Sequence, residues 1–345
     1  MNPARAEAIE PRKVTFDAPD GTPIGGFAWQ AGSRTRPVVI VNPATSVRCR
    51  YYFRFADYLF AHGRDVLLYD YRGIGESRPA KLAGFDANWI DWGALDFEAA
   101  LRFAADHFAG QAIDVVAHSI GGCLIGLAPS NATIRRAVTM GAQYAYWRDY
   151  AREHRLGMLL KWHIAMPALA AVFGYVPARR LGWMEDTPRG VAHSWAKSRA
   201  RFEQTYRAPP FALADERVAQ LVRQFTALRA PLLAISTTDD PFGTVAAIER
   251  LLDYFDGCET RTHLRLEPSA FDADAIGHFA FFHSRFQTRL WPIVLQWLET
   301  ASLAQATPGE RVSVRRRASE DGARAGHAVD SSLARDGRIH RHFSI

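Results

Sequence analysis

Short runs with no polar face recur along the chain: PVVIV at 37–41, DVLLY at 65–69, AIDVV at 112–116 and PLLAI at 231–235. Runs of this length, fully apolar and β-branched in PVVIV and broken by a single Asp in DVLLY and AIDVV, are the pattern of strands covered on both faces of a parallel sheet. Between them the period changes. Phe53, Phe55, Leu59 and Phe60 recur at helical spacing before the stop signal Gly63, and a second helix is expected over about 95–108. Val14, Phe16 and Ala18 alternate ahead of Pro19-Asp20-Gly21, so 12–29 reads as an opening hairpin. Alternating strands and helices predict right-handed βαβ units around a mostly parallel sheet.

After Val138 and Met140, expected to lie on another strand, the alternation lapses until 231. The interval is helix-like and rich in Tyr146, Trp147, Trp162, Phe173, Trp183, Trp195 and Phe202. The expected organisation is therefore a core over 1–142, an inserted helical cap over 143–228, the rest of the core over 229–300 with a strand at 264–266 and a last helix over 281–298, and a disordered Arg-rich tail over 301–345. A chain of 345 residues suits such a core with an excursion.

Composition narrows the function classes. With 48% hydrophobic and 23% charged residues, the chain can bury a sizeable interior. Half of the net charge of +6 falls in the tail, where Arg311, Arg315, Arg316, Arg317, Arg324, Arg335, Arg338 and Arg341 outnumber the acids. A nearly neutral body argues against a nucleic-acid partner. Three cysteines, far apart and odd in number, fit a reducing cytoplasm, and the opening residues carry no apolar signal segment. The stretch 156–176 is rich in Leu, Ala, Met and Phe, but Lys161 and His163 interrupt it, leaving an apolar run of about 13 residues where a span needs about 18. A buried or amphipathic helix is expected there, with no stable membrane association.

The sharpest chemical feature is Ala117-His118-Ser119-Ile120-Gly121-Gly122, directly after the strand AIDVV and before a helix-like run. Small residues around a serine in a strand-turn-helix context form a nucleophile elbow, with Ala117 where Gly is commoner. A late histidine is needed as base. His278 lies in a loop between the last strand and the last helix, His283 is the runner-up, and His118 is expected to point away from Ser119. The orienting acid should follow PLLAI, where Asp240 takes the position and Asp239 is the alternative; one of them could instead cap the following helix. Two backbone donors are available for an oxyanion: the amide of Ile120 and one from Asn42-Pro43-Ala44-Thr45, where Pro43 cannot donate, which narrows the options to Ala44 or Thr45, and Ala44 is the choice. Asp70-Tyr71-Arg72-Gly73-Ile74-Gly75 has the wrong glycine spacing for a dinucleotide loop, so Asp70 and Arg72 are read as loop braces. Neither H-E-x-x-H nor Cys-x-x-Cys occurs, and no metal or cofactor is expected.

Taken together, the loop Asn42-Pro43, DYRGIGES, AHSIGG, DDP and GHFAFF occur in the order of the α/β-hydrolase superfamily, which the chain resembles from about Val14 to Leu298. Gly174-Tyr175-Val176-Pro177, 184–191 and Trp195 are similar to a group of bacterial α/β hydrolases of undefined substrate. The resemblance implies an α/β-hydrolase fold, a triad of Ser119, Asp240 and His278, and oxyanion donors Ala44 and Ile120. Hydrolysis of an ester or thioester of a small or acyl substrate through an acyl-enzyme is expected. An amidase, an aminopeptidase or an acyltransferase would use the same triad. A noncatalytic binder on this fold is the reading from another class, and a membrane-associated protein using 156–176 and the Arg-rich tail is a third.

Overall fold

The computed structural model describes residues 10–314. Nine strands form one sheet: β1 (Arg12–Asp17), β2 (Pro23–Trp29), β3 (Val38–Asn42), β4 (Asp65–Tyr69), β5 (Ile113–His118), β6 (Ile134–Met140), β9 (Leu232–Thr237), β10 (Arg261–Leu266) and β11 (Glu310–Val312). A separate two-stranded pair comprises β7 (Tyr175–Val176) and β8 (Thr187–Pro188). The spatial order is β1-β2-β4-β3-β5-β6-β9-β10-β11. Pairing is parallel from β4 to β10, while β1 on β2, β2 on β4, and β11 on β10 are antiparallel. All six apolar segments expected to be strands fall within this sheet, and the opening hairpin is β1 and β2.

Alternation explains the two cores. Val38 and Ile40 face one hydrophobic layer while Val39 and Val41, one residue out of phase, face the other. Helices Phe53–Ala61 and Glu98–His107 belong to opposite layers. The first places Phe55 and Leu59 in the layer of Trp291, and the second places Leu101 and Ala104 in the layer of Ile113. The helical path before β5 starts at Trp89, ahead of the expected start near 95. Asn88 accepts from the amides of Ile90 and Asp91, and Asp91 accepts the Asn88 amide, a reciprocal N-terminal cap written in the sequence as Asn-x-x-Asp.

Two boundaries depart from expectation. The last helix is Trp291–Thr300, preceded by single turns at Ala280–Phe282 and Ser284–Phe286 instead of a helix begun at 281. Pro292 lacks an amide proton, so it is accommodated in a first turn and not in the interior. The second departure is in 301–345, whose composition predicts no structure from its start, yet Glu310–Val312 pairs with His263–Arg265 as β11. Three residues with one apolar position carry no readable period, and backbone pairing with β10 decides their conformation. Residues 315–345 of that tail lie outside the described residues.

The excursion between β6 and β9 does not break cleanly at 143 and 228. Helix Asp215–Ala227 sets Val218, Leu221 and Phe225 into the core, and a Cβ on Gly126 would collide with the Phe225 ring. What shares a pocket with Ser119 is the earlier part of the excursion: Lys161 and Trp162 of the continuous helix 155–173, then Trp183, Met184, Glu185 and Trp195.

Candidate active site

Ser119 follows β5 and precedes the helix Ile120–Ile125, with φ 54° and ψ −125°. A non-glycine residue in that region stores strain of about 1–3 kcal/mol, which the surrounding structure must hold. Here the hold is visible. The Ser119 amide donates to Met140 O at 2.9 Å, and a Cβ on Gly121 would meet the carbonyl oxygens of Asn42 and Pro43 at 2.6 and 2.8 Å. Glycine at 121 lets the helix start press against the end of β3. Asn42 locks the same contact, its Nδ2 donating to Gly121 O at 3.3 Å while its Oδ1 accepts from Tyr69 at 2.8 Å.

His278 Nδ1 lies 2.7 Å from Asp240 Oδ2, both side chains buried. A carboxylate can only accept, so Nδ1 carries the proton and Nε2 is left as the basic nitrogen. Burial raises the Asp240 carboxyl, but the adjacent His278 and the amides of Gly243 and Phe242 prevail and hold it below its usual range. Gly141, at φ 58°, leaves the space this pair fills: a Cβ there would lie 2.9 Å from Asp240 Oδ2 and 3.0 Å from the His278 ring. Asp239 has another job. Its Oδ2 accepts the amides of Ile276 and Gly277 at 2.8 Å each, gripping the loop that carries His278. Neither aspartate caps the next helix, since Thr244 does so by accepting from Ala247. His283 is exposed in a bend, beside Tyr51.

The amide of the expected donor Ala44 is engaged elsewhere in this structure. It is spent on the hydroxyl of Tyr52 at 3.0 Å, within a buried chain that continues from Tyr52 to His118 Nδ1 at 2.8 Å and from His118 Nε2 to His278 O at 2.8 Å. The His278 carbonyl must accept, so Nε2 of His118 is protonated, Nδ1 accepts from the tyrosine, and the tyrosine oxygen accepts from Ala44. Burial, then the neighbouring His278, push His118 down to about 3, which keeps it neutral in this chain. His118 thus points away from Ser119, as its place in the turn predicts. Nothing in the spacing of Tyr52 marks it as the partner of Ala44; only the tertiary contact reveals it. Thr45, next along, has no acceptor for its amide among the described residues, and Ile120 opens a helix and so has an unspent amide.

A pocket of about 770 Å³ opens over these groups, lined by Ser119, His278, Ala44 and Thr45 with Trp162, Trp183, Trp195, Phe242 and Phe279. Trp162 stacks on Trp195 at 4.7 Å, and Phe242 lies 4.8 Å from the His278 ring. Among the charged residues of the lining, Arg48 pairs with Glu185 at 2.9 Å and Arg50 with Glu76 at 3.0 Å, whereas Lys161 rests over Trp162 and Trp183 at 4.4 and 4.7 Å. The loop behind Thr45 is fastened to the excursion, Ser46 Oγ meeting Thr187 Oγ1 at 2.6 Å and Ser46 O accepting from the Glu185 amide at 3.0 Å. The reading of Asp70 and Arg72 as braces holds. Asp70 accepts from Cys49 and Glu76, and Arg72 pairs with Asp96 and Asp20 at 2.6 Å each. No group of three or more His, Cys, Asp or Glu side chains suited to a metal occurs among the described residues.

A model of the family described as serine aminopeptidase, S33, matches residues 33–265. No curated protein matches the sequence. Among solved structures, a soluble variant of monoglyceride lipase from Saccharomyces cerevisiae, in complex with a substrate analog, superimposes with a TM-score of 0.58 at 13% identity, covering 88% of this chain and 99% of that one. An esterase from Pyrococcus furiosus gives 0.53 at 13% identity over 84% and 92%. The esterase domain of a Rhodothermus marinus protein gives 0.51 at 18% identity over 84% and 98%. At these identities the likeness is one of fold, and the fold is that of the α/β hydrolases.

Proposed function

Because the chain belongs to the serine aminopeptidase S33 family of α/β hydrolases, we propose that it is a serine hydrolase that cleaves a carboxylic ester or thioester through an acyl-enzyme on Ser119. His278 Nε2 takes the Ser119 proton as Oγ attacks the carbonyl carbon, and Asp240 stabilises the imidazolium that results. The amides of Ile120 and Thr45 receive the oxyanion. The imidazolium then protonates the leaving alcohol or thiol, and water, deprotonated by the same nitrogen, releases the acid.

The observation that carries this reading is the buried His278–Asp240 pair at 2.7 Å opening onto the same pocket as a serine held at φ 54°. Charge favours esters over peptides with a free amino end. An α-ammonium group needs a carboxylate to receive it, and Glu185, the acid in this lining, is already engaged by Arg48, with Arg50 and Lys161 nearby. The aromatic walls suit an apolar acyl chain on a small-molecule substrate.

A fluorophosphonate probe tests the nucleophile: labelling of the folded protein that vanishes in Ser119→Ala is expected, and a well-folded wild type that takes no label would reject it. Hydrolysis of p-nitrophenyl esters of increasing chain length, beside aminoacyl amides and acyl thioesters, tests the substrate class.

A further inference from the structure

Helix 155–173 presents two apolar faces. Met158, Trp162, Met166 and Ala170, each four residues from the last, are buried. On the outside stand Leu156, Leu160 and Ile164 at the same spacing, 69, 52 and 55% exposed, followed by Val172 and Phe173 at 77 and 46%. Together with Leu181 and Phe279 these are the exposed large apolar side chains among the described residues; Phe279 lines the pocket, and the helix that carries five of the others lines it through Lys161 and Trp162. A buried helix, or an amphipathic one lying on a core, would hide such residues; the outward stripe does the reverse, over a length of roughly 24 Å. A patch of this size facing water marks a surface meant for contact.

Charge points to the partner. Arg152 and Arg155 stand before the stripe, Arg179 and Arg180 beyond it, and Glu153 is the exposed acid among them. Arg155 donates to Tyr150 O and Arg179 lies 3.9 Å from Glu185, leaving Arg152 and Arg180 exposed with no carboxylate partner among the described residues. We propose that this face docks on a phospholipid bilayer bearing anionic headgroups, the helix lying in the plane of the interface with its outer leucines and isoleucine among the acyl chains. Apolar side chains along one face with basic residues at its ends are what such a surface selects. The helix is long and apolar enough to cross a membrane. Its inner face is nevertheless tied down, with Trp162 on Trp195 and His163 bridging Tyr150 and Ala196 at 3.0 Å each, so lying flat keeps contacts that spanning would break. Lys161 and Trp162 on this helix form a wall of the pocket, so docking would bring the pocket to the source of an acyl substrate.

Flotation of the full chain with vesicles of phosphatidylcholine, with and without phosphatidylglycerol, tests the proposal. Wild type should float with the anionic vesicles, and Leu160→Asp with Ile164→Asp should lower partitioning about tenfold or more. Arg152→Glu with Arg180→Glu should also weaken binding, the gap from wild type closing as salt rises. Ser119→Ala should bind as wild type does, which separates this proposal from the fate of the hydrolase reading. Circular dichroism and fluorophosphonate labelling report that the aspartate pair is folded. Equal flotation of the aspartate pair and wild type, or no flotation of wild type, would overturn the idea. So would a lipid-free dimer in sedimentation velocity that the aspartate pair abolishes, because the face would then belong to a second copy.

Discussion

Through its Nε2, His118 donates to the main-chain carbonyl of His278 at 2.8 Å, so the residue beside Ser119 holds the backbone of His278. The other nitrogen of the same ring reaches Tyr52, and Tyr52 reaches Ala44. One buried chain therefore links the loop that carries His278 to the loop after β3.

Tyr52→Phe would leave both His118 Nδ1 and the Ala44 amide without partners in a dry interior. Stability should fall by about 1–3 kcal/mol, read as a shift of the urea midpoint at unchanged slope. A variant as stable as wild type would mean that the chain contributes nothing.

The oxyanion donors can be read directly. In a complex with a boronic acid on Ser119, the boronate oxygen should lie about 2.7–3.1 Å from the amides of Ile120 and Thr45. Approach to Ala44 instead, with Tyr52 displaced, would restore the assignment made from sequence.

The two aspartates should differ in kind. Asp240→Asn removes the charge behind His278 and presents the wrong hydrogen-bonding partner to Nδ1, so kcat should drop about 10⁴-fold with little change in KM. Asp239→Asn keeps one acceptor for the amides of Ile276 and Gly277, and a much smaller loss is expected. Comparable losses in steady-state ester hydrolysis would show that the assignment of roles is mistaken.

Acid should unfold the protein in a way traceable to His118. Its folded pKa, about 3, lies below the unfolded value near 6.5, so the unfolded chain binds the extra proton between those limits and stability declines as pH falls through them. Above pH 6.5 this contribution is flat. Within the window the slope should approach about 1.4 kcal/mol per pH unit for this one group. His263, pushed down to about 4 by burial and then Arg265, adds a similar slope over a narrower range. Chemical denaturation at stepped pH measures the total, and His118→Asn should flatten part of it.

Legibility followed the range of the interactions. Strands β3, β4, β5 and β9 could be read because burial on both faces forces an apolar run, and the pairing of His278 with Asp240 beside the pocket of Ser119 because loops at one edge of a parallel sheet converge. β11 and the fate of the Ala44 amide could not, since each depends on a tertiary partner: β10 for one, the Tyr52 hydroxyl for the other. The helix at 155–173 was legible in its composition but not in its orientation, because an apolar stripe has the same period whether it faces the core or the solvent.

The short strand β11 also fixes where the polypeptide can be trimmed. Arg261–Leu266 would otherwise be the rim of the sheet, with its free peptide groups turned toward any neighbouring molecule. Cutting after Thr300 would uncover that rim and invite end-to-end stacking, whereas cutting after Val314 would keep it sheathed.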